Sequence, residues 1–241
     1  MSVLSPSFRA RVRSSIETPV ANVFGRLGLT PNALTLIGFG IAVVAAWFAA
    51  QETWLVAGML VAFGAVFDLF DGALARATNK TSKFGAFMDS TFDRAGEAVV
   101  YIGVARGLFS PTIVSEGRLS ISYGGPDSDA GALVAMLAMA ASFMVSYTRA
   151  KSESLGFGSG TGIANVGFAP REVRVVILSV GLIAAGFLAP ADTGLRSSPT
   201  TWWYVLDGAL ALIAVLATVT TIQRILFVYR QSKSSNQEVQ E

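Results

Sequence analysis

Long runs of apolar residues alternate with short polar segments along most of this chain. A membrane-spanning helix needs about 20 mostly apolar residues, and six segments reach that length if their polar ends protrude or face inward. The pattern therefore predicts an all-α integral membrane protein with six transmembrane helices. The predicted spans are residues 31–50, 53–77, 84–108, 129–152, 171–189 and 201–230.

The segment before the first span has a different pattern. Between residues 5 and 27, apolar residues recur at near-helical spacing and four arginines fall between them. Such helices lie in the membrane interface, although a flexible basic arm would have the same composition. We therefore expect an N-terminal amphipathic juxtamembrane segment at 1–28, a six-helix domain at 29–230 and a polar C-terminal tail at 231–241.

The composition limits the chemistry that is available. Charged residues make up 14% of the chain, whereas soluble domains have about 25%. Cysteine and histidine are both absent, which excludes disulfides, Cys/His zinc sites, thiol nucleophiles and histidine acid–base chemistry. Catalysis would then fall to carboxylates, Lys/Arg, hydroxyls or a bound metal. The net charge of +2 gives no indication of a nucleic-acid partner.

The basic residues predict an orientation in the membrane. They lie mainly at the N-terminus, after the second and fourth spans and at the C-terminus, while the other side holds only Arg106, Arg118 and Arg196. Because Lys and Arg are enriched on the cytoplasmic side, we expect a multi-pass protein of the cell (cytoplasmic) membrane with both termini cytoplasmic. Carboxylates at the adjoining ends of the second and third spans would then face the cytoplasm.

Those carboxylates form the most informative motif. Residues 68–93 read D-x2-D-G-x2-A-R-x8-G-x3-D-x3-D. Residues three or four apart share a helix face, so Asp68 and Asp71 can meet Asp89 and Asp93 across two antiparallel helices. A charged residue in a membrane helix is a functional-site hypothesis by default. A divalent cation would offset the repulsion among the four, and all-oxygen ligands favour Mg²⁺, Mn²⁺ or Ca²⁺.

The residues between the two pairs suggest a phosphate ligand. Gly72 permits close approach of a ligand, and the guanidinium of Arg76 matches phosphate oxygens. Together with a metal they indicate a diphosphate site. The alternative is an ion-paired polar core in which the aspartates neutralise arginines such as Arg76, Arg94 and Arg149.

The motif resembles the signature of the CDP-alcohol phosphatidyltransferase family, and this chain matches every fixed position. The resemblance implies a six-helix enzyme, commonly a homodimer, that transfers a phosphatidyl group from CDP-diacylglycerol to an alcohol and releases CMP. It implies two Mg²⁺ or Mn²⁺ ions held by Asp68, Asp71, Asp89 and Asp93, with Asp93 also the general base. It implies contacts with the CDP-lipid from Thr30, Pro31, Asn32, Ala33, Gly72, Arg76 and Ser82.

Two further segments bear on the acceptor alcohol. The sequence MDSTFDR at the third span and SYTRAKSE at the fourth are similar to those of relatives that accept inositol phosphate. Arg149, Arg171 and Arg174 are then expected to bind the acceptor phosphate. Glycerol 3-phosphate is the alternative acceptor. Glu97, one turn beyond Asp93, is expected to pair with an arginine such as Arg94 or Arg149.

Two other functional classes place acidic residues in membrane helices. An aromatic prenyltransferase needs two widely separated Asp-rich motifs and more spans, whereas all four aspartates here lie in one helix pair. A transporter would place carboxylates near the midplane, in interrupted helices of related halves, and no internal repeat is visible in the sequence.

Overall fold

The computed structural model describes residues 28–77, 82–109, 111–115, 119–123, 128–157, 166–189 and 201–238. The predicted interfacial segment before Gly28 lies outside these residues. The described part of the chain contains six helices and one pair of strands, and the helices begin and end close to the predicted spans. They are α1 (Pro31–Ala50), α2 (Trp54–Ala77), α3 (Lys83–Leu108), α4 (Ser128–Ser154), α5 (Arg171–Leu188) and α6 (Thr201–Glu238).

Local sequence explains where α1 and α3 begin. The hydroxyl of Thr30 accepts a hydrogen bond from the backbone nitrogen of Ala33 at 3.2 Å, and Pro31 occupies the first turn. Proline suits this position because its missing N–H would have no partner within the helix. Ser82 caps α3 in the same way. Both helix starts are therefore set by short-range chemistry.

The six helices pack as a closed ring. α1 contacts α2 and α3, α3 contacts α4, α4 contacts α6, α6 contacts α5, and α5 contacts α2. The centre of the ring holds buried side chains from every helix, among them Trp54, Tyr101, Leu182 and Leu206. α2, α3 and α5 thus lie around one side of the bundle with α1, and α4 and α6 close the other.

The outside of the bundle is apolar. Large side chains such as Trp47, Phe187 and Val215 are exposed, which suits lipid better than water. By length and composition, Pro31–Ala50, Ala130–Ser154 and Trp202–Lys233 are each able to cross a membrane, among the described residues. The apolar helices indicate a membrane protein.

The all-α prediction needs one correction. Pro111–Ser115 (β1) pairs antiparallel with Leu119–Tyr123 (β2) in the connection between α3 and α4. The sequences PTIVS and LSISY are rich in residues that favour strands, but they are too short to stand out beside membrane spans. In addition, α6 continues through the predicted tail as far as Glu238, because no Pro or Gly interrupts that stretch.

Close approach of α1 and α3 depends on a glycine. A Cβ placed on Gly103 would lie 2.2 Å from the carbonyl oxygen of Ala46, so any side chain there would force the two helices apart. Small residues at helix contacts give membrane bundles much of their packing energy.

Replacing Gly103 with alanine should therefore destabilise the bundle by roughly 1–3 kcal/mol, the usual cost of overpacking. The measurement is the thermal unfolding midpoint of the purified protein in detergent. Gly208→Ala is the matched control, since no atom of the described residues lies within 4 Å of a Cβ at that position. Equal midpoints for the two variants would contradict the expectation.

Candidate active site

A partly open cavity lies between α1, α2, α3 and α5, with about 640 Å³ of empty space if the part open to solvent is included. Much of its wall is apolar, and the charged groups gather on α2, α3 and α5. Its polar lining includes Thr35, Asp68, Asp93, Glu97, Arg171 and Arg174. The cavity therefore brings the acidic helix pair and the start of α5 to one place.

Asp68 and Asp93 face each other across one guanidinium. Arg171 Nη2 lies 2.8 Å from Asp68 Oδ2, and Arg171 Nη1 lies 3.0 Å from Asp93 Oδ1. Asp68 comes from α2 and Asp93 from α3, so one member of each predicted pair reaches a shared position. A single positive group satisfies both carboxylates there. Opposite charges at this separation attract strongly where water is partly excluded.

The structure describes the other residues of the motif less completely. Asp71, Gly72 and Arg76 lie on α2, but their side chains are outside the described part of the structure. Asp89 is half-buried on α3, one turn before Asp93. Among the residues that are described, no group of three or more acidic side chains lies close enough to hold a metal ion.

The donor chemistry at Asp68 and Asp93 nevertheless fits a hard divalent cation. Carboxylate oxygens are the ligands that Mg²⁺ prefers, usually a few together with substrate phosphates. Both carboxylates already point at one positive group, Arg171. Asp68 and Asp93 would be among the residues that hold such an ion.

A glycine on α1 makes room for Asp68. A Cβ on Gly38 would lie 2.8 Å from Asp68 Oδ1, so α1 passes directly behind that carboxylate. The aspartate motif does not include Gly38. A run of small residues on the same helix, including Ala42 and Ala46, is the signal that could have indicated a close helix contact.

The N-terminal ends of α1 and α3 meet beside the site. Ser82 Oγ accepts a hydrogen bond from the backbone nitrogen of Gly85 at 2.9 Å. A Cβ on Gly85 would lie 3.1 Å from Ser82 Oγ and 3.3 Å from Asn32 Oδ1. Asn32 and Ser82, both expected to contact the CDP-lipid, are therefore neighbours although they are far apart in sequence. Thr30 and Ala33 take part in the helix cap.

The three arginines expected at the acceptor phosphate occupy different surroundings. Only Arg171 contacts the cavity aspartates. Arg149 lies at the end of α4 with its side chain 46% exposed and pairs with Glu153 at 2.9 Å. Arg174 is 1% exposed, and each of its guanidinium nitrogens donates a hydrogen bond to the protein. Its present contacts give no support to a direct role in phosphate binding.

Glu97 is the partner of Arg174. Arg174 Nε and Nη2 donate to the two oxygens of Glu97 at 2.9 and 3.0 Å, and Nη1 donates to the carbonyl of Ala169 at 2.9 Å. The expectation that Glu97 pairs with an arginine is confirmed, but Arg94 and Arg149 were the wrong partners. Local spacing favours neighbours on the same helix, whereas the contact between α3 and α5 is tertiary.

Asp68 and Asp93 are thus ion-paired in this structure, chiefly with an arginine that the ion-pair alternative did not name. Arg171 is the main partner. Arg94 Nη1 lies 3.9 Å from Asp93 and donates instead to the carbonyl of Ser90 at 2.6 Å. The pairing leaves the two carboxylates at the wall of a cavity rather than sealed in a core.

Comparison with known proteins gives a consistent result. A model of the CDP-alcohol phosphatidyltransferase family matches residues 28–219. The archaetidylinositol phosphate synthase of Pyrococcus horikoshii is 32% identical over 219 residues, covering 90% of this chain and 94% of that protein. The phosphatidylinositol phosphate synthase of Streptomyces avermitilis is 31% identical over 223 residues, covering 92% of this chain and 81% of that protein.

Solved structures agree in fold over most of the chain. The phosphatidylinositol phosphate synthase of Mycobacterium tuberculosis, in complex with manganese and citrate, aligns with a TM-score of 0.68 and 26% identity over 89% of both chains. The same protein with CDP-DAG bound aligns with a TM-score of 0.67 and 26% identity, covering 89% of this chain and 94% of that one.

The buried pair between Glu97 and Arg174 should contribute strongly to stability. Glu97→Gln would leave the guanidinium of Arg174 without its charge partner, which costs roughly 3 kcal/mol or more for a buried pair. The thermal unfolding midpoint in detergent measures this. Glu153→Gln is the matched control, because its pair with Arg149 is half-exposed and exposed pairs contribute little. A midpoint for Glu97→Gln as high as that of the control would contradict the assignment.

Proposed function

This chain belongs to the CDP-alcohol phosphatidyltransferase family, and we propose that it transfers a phosphatidyl group from CDP-diacylglycerol to the hydroxyl of an inositol phosphate, releasing CMP. The relatives named above are, by their names, synthases of inositol phosphate lipids. The observation that carries the proposal is the cavity in which Asp68 and Asp93 converge beside Arg171. It supports the proposal because a phosphorylated alcohol would need the basic group, and a metal-bound diphosphate would need the acidic ones.

Asp93 is assigned as the general base. Its carboxylate lies on the cavity wall, where it can accept the proton of the acceptor hydroxyl as that oxygen attacks the lipid phosphorus. A positioned base contributes typically 10²–10⁴-fold to such a step. The bond between the phosphatidyl phosphorus and the CMP oxygen breaks, and CMP leaves as a phosphate monoester.

Metal binding is assigned to Asp68, Asp71, Asp89 and Asp93. A manganese complex of the mycobacterial relative supports a divalent ion in this fold, and two Mg²⁺ or Mn²⁺ ions are proposed here. When bound, such ions neutralise charge on the attacking and leaving oxygens. Asp68 and Asp93 hold their side of the site from different helices, so the geometry depends on how α1 packs on both helices and on Arg171 of α5, which bridges the two carboxylates.

The nucleotide end of the lipid substrate is assigned to the patch where α1 and α3 begin. Asn32 and Ser82 lie together there, against Gly85, and backbone N–H groups at helix starts favour anions. The CDP-lipid contacts proposed are Thr30, Pro31, Asn32, Ala33, Gly72, Arg76 and Ser82.

The acceptor phosphate is assigned first to Arg171. Its Nε is buried and has no hydrogen-bond partner among the described residues, so it retains a donor for an anionic ligand. Arg149 is exposed at the same end of the bundle as a second phosphate contact. Arg174 contributes its charge from a buried position in the cavity wall, because Glu97 holds its guanidinium. Bidentate donors of this kind suit phosphate.

The membrane arrangement follows from the same assignment. We place six spans in the cell membrane, with residues 1–28 in the interface, a catalytic domain at 29–230 and a tail at 231–241. Both termini and the cavity face the cytoplasm, where water-soluble inositol phosphate is supplied. The unit is proposed to be a homodimer in contact with membrane lipids.

The first test is CMP release by the purified full chain with Mg²⁺ and CDP-diacylglycerol. Inositol phosphate, inositol, glycerol 3-phosphate and serine are supplied separately, and release is expected with inositol phosphate alone. Chelation should abolish it, and added Mg²⁺ or Mn²⁺ should restore it. Asp93→Asn should lower turnover by about 10²-fold or more while CDP-lipid binding persists.

Other outcomes separate the alternatives. Release with glycerol 3-phosphate alone would assign the other acceptor within the same family. Binding of CDP-lipid without release on any of the four would reject the acceptor assignment. A wild-type protein that binds no CDP-lipid would contradict the proposed function and favour the transport or prenyltransferase interpretation.

The contact between Gly38 and Asp68 generates a sharper test. Gly38→Ala should displace the Asp68 carboxylate and lower kcat/KM by about tenfold or more, since small misplacements at a reacting centre are costly. CMP release measures the effect. Gly40→Ala on the same helix is the control, because a Cβ there would have no neighbour within 4 Å in the part of the chain that the structure describes. Equal activity of the two variants would show that the position of Asp68 does not depend on the absence of a side chain at Gly38.

A further inference from the structure

Segment 166–170, which leads directly into α5, is held by α6. The hydroxyl of Thr220 lies 3.1 Å from the backbone nitrogen of Phe168 and 3.0 Å from that of Ala169, and it accepts a hydrogen bond from both. Thr220 is fully buried. A threonine inside a helix more often bonds to a carbonyl of its own preceding turn, as Thr218 does. Thr220 therefore ties α6 to a different part of the chain.

The backbone at this contact leaves no room for a larger residue. Gly167 has φ +114°, and a Cβ on it would lie 2.2 Å from Thr220 Cγ2. L-amino acids with side chains rarely adopt that backbone conformation. The segment thus reaches the threonine hydroxyl only because its backbone can lie directly on α6.

Arg224 makes a second attachment one turn further along α6. It is 3% exposed. Its Nε donates to the carbonyl of Val166 at 3.1 Å, and its Nη1 donates to the carbonyl of Val145 on α4. Both ends of the short segment before α5 are therefore attached to α6, and the same arginine also bonds to α4.

The first turn of α5 depends on these attachments. Its N-cap residue, Pro170, makes no side-chain capping hydrogen bond. The carbonyl of Ala169 accepts a hydrogen bond from Arg174 at 2.9 Å, so the same residue is held by Thr220 at its nitrogen and by Arg174 at its oxygen. Arg171 projects from this turn to Asp68 and Asp93.

We propose that Thr220 is a positioning residue for the acceptor. By holding segment 166–170 it fixes the position of Arg171 at the cavity, and its hydroxyl is needed for a low KM for a phosphorylated acceptor. The inference rests on the proposed function, because it assigns the acceptor phosphate to Arg171. It adds a residue on an apolar helix, outside the cavity and outside the aspartate motif.

The test is a graded series at Thr220 in the full chain. Thr220→Val keeps the branched shape and removes the acceptor oxygen, leaving two buried N–H groups unpaired. We expect the KM for inositol phosphate to rise about tenfold, with the KM for CDP-diacylglycerol within about twofold of wild type. Thr220→Ser should restore the acceptor KM, and Thr220→Cys, with a weaker acceptor atom, should lie between them. Thr218→Val is the matched control, since the hydrogen bond that its hydroxyl makes among the described residues stays within α6.

The outcomes are separable. A rise in both KM values together, a fall in kcat alone, or no change would overturn the positioning role. If Thr220→Val does not fold, the Cys variant decides. An acceptor KM equal to that of the Ser variant overturns the positioning role, and an acceptor KM above that of the Ser variant supports it. Absence of inositol-phosphate-dependent CMP release in the wild type would instead reject the proposed acceptor, and this inference with it.

Discussion

Charge buried in an apolar bundle is the constraint on which the rest of this structure depends. Each charged group that enters the interior needs a partner, because the alternative is an uncompensated charge in a medium that solvates it poorly. Glu97 and Arg174 satisfy each other, and Arg171 satisfies two carboxylates at once. These pairs join α5 to α2 and α3, and so the helix that supplies the cations is held against the helices that supply the acids.

The order of the helices in the ring decides which charged groups can pair. α5 lies beside α2 in the ring although the two are far apart in sequence, and only that neighbourhood brings Arg171 to Asp68. Glycines then decide how near the walls come. Gly103 lets α3 meet the backbone of α1, and Gly38 lets α1 pass behind the carboxylate of Asp68. Packing and chemistry are therefore set by the same contacts.

The apolar helices are more than membrane anchors. α6 has few charged residues within its span, yet Thr220 and Arg224 attach it to the chain that enters α5. The groups at the cavity wall therefore have a second set of contacts behind them, which holds the segment that leads into α5.

The sequence by itself determined the elements and the chemistry: six helices at nearly the predicted bounds, the cap at Thr30, and the two aspartate pairs whose motif the family shares. These features depend on period, capping and spacing, which are local properties of a chain. The tertiary structure alone decided the partners. It paired Glu97 with Arg174 rather than with Arg94 or Arg149, buried Arg174 in that pair and brought Arg171 into contact with Asp68 and Asp93. Helical spacing indicates which residues share a face, but the depth of each and the helix it meets follow from how the ring closes.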